Sequence, residues 1–80
     1  MGKAGKALKQ VLETYGISQN KLAVTMRIGR STMHYWYSET TDPSAEAVLD
    51  IRKALRRIDP AAAEEFIRLY LSEDDEKSMF

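Results

Sequence analysis

Within six positions the chain carries Arg30, Ser31, His34 and Tyr35, side chains that hydrogen-bond, carry charge and stack. A guanidinium such as that of Arg30 can hold the O6 and N7 edges of a guanine with two parallel hydrogen bonds. A serine hydroxyl can donate to a base edge, and an aromatic ring can meet a base or a thymine methyl group. At helical spacing these residues share one face, because positions three and four apart lie one above the other. Their chemistry is therefore recognition by contact. His34 is the only histidine and the chain has no cysteine. That excludes thiolate metal sites, cysteine nucleophiles and disulfides. No nucleophile–base pair and no glycine-rich phosphate loop occurs, so neither catalysis, a metal nor a cofactor is expected.

Such a face is useful only if neighbouring elements hold it outward. Gln19 to Met26 and Arg30 to Tyr37 read as two short helices joined by a tight turn at 27–29. Ser18 is placed to cap the first of them. Met33 and Trp36, with Tyr37 beside them, should face inward from the second, and Ser31, His34, Tyr35 and Ser38 outward. Two helices crossing steeply can present one as a probe of the DNA major groove, which is wide enough to admit it.

The flanks supply the support. Ala4, Leu8, Val11, Leu12 and Tyr15 recur at helical spacing and predict a first helix ending near Gly16. Val48, Ile51, Leu55 and Ile58 predict another, starting near Pro43-Ser44. Asp59-Pro60 should stop it and cap the next, with Pro60 at the first helical position. That last helix should present Ala63, Phe66, Ile67, Tyr70 and Leu71. No alternating pattern predicts a strand. The expected fold is all-α with five helices, one domain over residues 1–72 and a disordered acidic tail over 73–80.

Net charge is zero, but its distribution is polar: residues 1–38 sum to +5 and residues 39–80 to −5. The positive half carries the candidate face. Charges also simply solvate helix surfaces, and this reading stands beside the first for Lys3, Lys6 and Lys21. No apolar run reaches the roughly 20 residues of a membrane span, and no apolar segment follows the first lysines as in a signal peptide. The expectation is a cytoplasmic, nucleoid-associated protein that meets no membrane.

Gln19, Leu22, Ala23, Ile28, Met33 and Trp36 together resemble the helix-turn-helix of the lambda-repressor/Cro-like family, the xenobiotic-response-element regulators of bacteria and phages. Pro43-Ser44 and Val48-Leu49-Ile51-Ala54-Leu55 resemble that family's fourth helix. The likeness covers about two-thirds of the chain and implies a five-helix, lambda-repressor-like bundle. It implies a dimeric regulator of transcription that binds a palindromic double-stranded operator. Arg30, Ser31, His34 and Tyr35 would then contact bases. Gln19, Lys21, Arg27, Ser38, Thr40 and Thr41 would contact phosphates. Phe66, Ile67, Tyr70 and Leu71 either complete the domain's own core or are candidates for the dimer interface. The family usually has glycine where Arg27 stands, because the backbone there turns left-handed. A non-glycine residue in that conformation costs on the order of 1 kcal/mol. The apolar last helix and acidic tail also fit an antitoxin-type module that neutralises a protein partner and regulates its own promoter.

Overall fold

The computed structural model describes the backbone of residues 3–78 and the side chains of residues 3–71. Among these residues there are five helices and no strand. They are α1 (Lys3–Tyr15), α2 (Gln19–Met26), α3 (Arg30–Tyr37), α4 (Ala45–Ile58) and α5 (Pro60–Ser78). The sequence places α2 and α3 at these bounds. α5 continues as backbone helix through Ser78, past the boundary drawn at residue 72 from charge alone. The side chains of the acidic run at 73–76, and residues 79–80 entirely, lie outside the described residues.

Local chemistry sets the helix ends. The Ser18 hydroxyl accepts from the Lys21 amide at 2.9 Å, and the Ser44 hydroxyl from the Ala47 amide at 3.1 Å. Each satisfies one of the free amides that open a helix. Asp59 caps α5 by accepting from the Ala61 amide at 3.1 Å, with Pro60 next to it. Glu46 lies in the first turn of α4, and Arg56 and Arg57 in its last, each complementing the helix dipole. α1 ends at Gly16, whose φ of 64° is left-handed.

One cluster joins all five helices. It includes Leu8, Val11 and Leu12 of α1, Leu22 and Ala23 of α2, Met33 and Trp36 of α3, Val48, Ile51 and Leu55 of α4, and Phe66 of α5. Removing each large side chain from water contributes about 1.5–3 kcal/mol. α5 packs on α1 and α4, α3 on α1 and α2, and α2 on α4. α5 therefore closes the bundle behind the other helices.

One candidate for a contact between copies drops out. Phe66 is wholly buried in the core of its own chain, so it is unavailable to a second copy. The buried stripe of α5 runs through Ala62, Ala63 and Phe66, while Leu71 is 49% exposed. Leu71 follows Phe66 by five positions, which rotates it away from a stripe spaced by three and four. Ile67 and Tyr70 pack only partly against the core. Tyr37 is half-buried, with its ring against the core and its hydroxyl outside.

Candidate functional site

α3 has two opposed faces. Met33 is buried and Trp36 nearly so, and both belong to the common core. Arg30, Ser31, Thr32, His34 and Tyr35 are all exposed, Tyr35 by half its surface. The four residues expected at bases thus lie on the solvent side of a helix held from behind. Thr32 joins them, although the sequence reading passed over it. A short threonine beside Ser31 adds one more hydroxyl to the same turn.

The helix is also fixed at both ends. At its start, the turn from α2 passes through Arg27, whose φ of 61° and ψ of 42° are left-handed. The Ile28 amide donates to the Ala23 carbonyl at 3.0 Å and the Arg27 amide to the Val24 carbonyl at 3.1 Å. These bonds close the last turn of α2, the usual reason a chain goes left-handed there. Ala23 is 1% exposed, and its small side chain lies in the shared core beneath the turn. Gly29 gives α3 no side-chain cap. The first amides of α3 consequently lack a competing side-chain acceptor.

At its end, α3 is tied to α1. The Tyr37 hydroxyl donates to Glu13 Oε2 at 2.9 Å, and Lys9 Nζ stands 5.7 Å from the centre of the Tyr37 ring. The Glu13 carboxylate, accepting that bond, raises the Tyr37 hydroxyl above its ordinary pKa, with burial and charge repulsion adding to the effect. Gly5 explains how closely the two helices approach. A Cβ at this position would lie 3.1 Å from the Trp36 carbonyl oxygen. The Gly5 amide donates to Asp42 Oδ1 at 2.9 Å, so a carboxylate 37 residues away satisfies the opening of α1. Asp42 sits in a segment that reads as plain loop, and nothing local in the sequence signals this role.

The residues expected at phosphates divide into three groups. Gln19 and Asn20, at the start of α2, line a depression with Arg30, Met33 and His34. Gln19 therefore sits beside the exposed face of α3, and its helix start offers amides to an anion. Ser38, Thr40 and Thr41 form a polar turn after α3. The Ser38 and Thr40 hydroxyls lie 2.9 Å apart, and the Thr40 and Thr41 amides both donate to the Tyr35 carbonyl. Glu39 takes a left-handed φ of 64° in this turn. Lys21 and Arg27 do not join the α3 depression. They line a separate one with Val24, Thr25, Arg57 and Ile58. Nothing local in the sequence signals that Arg57 lies beside α2.

Among the described residues, no three metal-ligating side chains come together. No buried side-chain polar atom there lacks a hydrogen-bond partner. No described helix is long and apolar enough to cross a membrane. The geometry offers surfaces for contact: a polar face on α3, a hydroxyl-bearing turn behind it and a cationic depression to one side. Comparison with family models, curated proteins and solved structures gave no match.

Proposed function

We propose that the chain is a sequence-specific double-stranded DNA-binding regulator of transcription of the lambda-repressor/Cro-like kind. In this reading α2 and α3 form a helix-turn-helix, and α3 enters the major groove. One observation carries it: the polar face bearing Arg30, Ser31, His34 and Tyr35 is wholly outward, while Met33 and Trp36 clamp the opposite face into the core. A recognition helix needs this combination, since contacts to base edges discriminate only when the backbone is held in register.

Roles follow from position. Arg30, in the first turn of α3, takes a guanine edge, and Ser31 and Tyr35 read its neighbours. His34 lies beside Gln19 and the adjacent strand. Gln19 at the start of α2 and the Ser38–Thr41 turn grip phosphates on either side of the groove. One module this small has limited specificity, so two copies reading half-sites about one helical turn apart are the working form. Ile67, Tyr70 and Leu71 remain the surface offered for that pairing.

Selection of bound duplexes from a random pool tests the reading. An enriched two-fold symmetric motif is expected, and log affinity should fall with log salt by about 0.9 per phosphate contacted. Recovery of no preferred sequence would sink it. Arg30→Ala should relax preference at one position of each half-site by about 1–3 kcal/mol while leaving thermal stability alone. Equal weakening on all sequences would make Arg30 a phosphate contact instead.

A further inference from the structure

We propose that the depression between the length of α2 and the C-terminal end of α4 docks a partner protein through an acidic peptide segment carrying a large apolar side chain. The lining is Lys21, Val24, Thr25, Arg27, Arg57 and Ile58, with a cavity volume of about 450 Å³. Three cations converge there, Lys21 and Arg27 from α2 and its cap and Arg57 from the end of α4, and no carboxylate is among the lining residues. No ion pair among the described residues engages any of the three. Fixed positive charges gathered without an internal partner attract an anionic one.

Charge alone does not choose between a phosphate backbone and an acidic peptide; an exposed apolar side chain does. Val24 is 67% exposed, the most exposed large apolar side chain among the described residues, and Ile58 lies half-buried across from it. Apolar surface ringed by charge is the pattern of a protein contact, and a phosphate backbone gains nothing from it. An acidic side chain can reach the three cations while its apolar neighbour covers Val24.

Arg27 points the same way. It holds a left-handed backbone position that glycine occupies without strain, and its charge is one of the three. The depression shares no lining residue with the one beside α3. The proposal therefore stands apart from the DNA-binding reading, and it moves Lys21 and Arg27 from a phosphate strand to a protein partner.

The full chain, immobilised, is used to select from a displayed library of short random peptides, with a random-sequence DNA duplex as the second probe. Recovered peptides should be enriched in Asp or Glu next to Leu, Ile, Met or Phe. Arg57→Glu should weaken their binding about fivefold or more, and added salt should weaken it further. Val24→Ser should weaken them comparably, with both variants keeping the parent's helical circular dichroism. If the charge reversal unfolds the chain, Arg57→Gln reads the same effect at smaller size. Peptides without acidic bias, no peptides at all, or peptides indifferent to both changes would overturn the proposal. So would a loss of duplex binding in Arg57→Gln as large as the loss of peptide binding, since that assigns the surface to phosphates.

Discussion

Gly16 and Arg27 do the same geometric work with different side chains. Each ends a helix by turning left-handed, at φ of 64° and 61°, and each lets the next amide reach back to a carbonyl of the last turn. At the corner between α1 and α2 the residue is glycine, the one type without a steric cost there. At the corner between α2 and α3 it is arginine. The second holds a non-glycine residue in the same strained conformation, with its charged side chain exposed. Within one small domain, the contrast sets an unstrained turn beside a strained one, and the proposed docking surface would give the second a reason for its side chain.

Four changes would break or sharpen that contrast. The largest effect is expected beneath the second corner, at Ala23. Replacing it with Leu forces α2 and α3 apart and should cost about 1–3 kcal/mol of stability by chemical denaturation. A smaller loss would mean the corner has room and does not fix the angle of α3. Next, Gly16→Ala should cost about 1 kcal/mol. No heavy atom lies within 4 Å of the added Cβ, so the loss measures the backbone conformation by itself. For a domain of this size that is a fall of roughly 4–8 °C in melting temperature.

Arg27→Gly should move the melting temperature the other way, by up to about 1 kcal/mol in equivalent stability. If the two turns differ only in side chain, this gain mirrors the loss at Gly16. An unchanged or lower melting temperature would show that the Arg27 side chain stabilises the fold, and the case for a functional reason would weaken. The smallest effect concerns pH at the far end of α3. The Tyr37 hydroxyl is raised above its ordinary pKa chiefly by its bond to Glu13, so the neutral hydroxyl is favoured in the folded chain. Its contribution to stability is fully present below the unfolded tyrosine pKa near 10 and lost as pH rises through the higher folded value. Absorbance titration should find one tyrosine ionising late, and Glu13→Gln should return it toward the others. A titration unchanged by that substitution would remove the Tyr37–Glu13 bond from the account of how α3 is held.

Local signals in the chain were enough for the elements. Ser18, Ser44 and Asp59 announce helix starts because a side-chain oxygen there answers a free amide two or three residues on. Met33 and Trp36 announce the inner face of α3 because a helix repeats every 3.6 residues. The exposed set at Arg30, Ser31, His34 and Tyr35 follows from the same period. Phe66 was left open between its own core and another copy because an apolar stripe looks the same whether it meets its own core or a partner. Asp42 could not be read as the cap of α1, since nothing near it in the chain points to an amide 37 residues away.

The order of residues by itself determined that the protein is helical, where its helices begin, and which side of α3 carries groups able to recognise a ligand. Each of these rests on forces acting over three or four positions, so a single strand of text contains them. Only the tertiary structure decided that Phe66 faces inward, that Asp42 reaches Gly5, and that Lys21, Arg27 and Arg57 share one depression. Those outcomes depend on how helices pack side by side, where the burial of distant apolar side chains selects the arrangement and brings remote charges together.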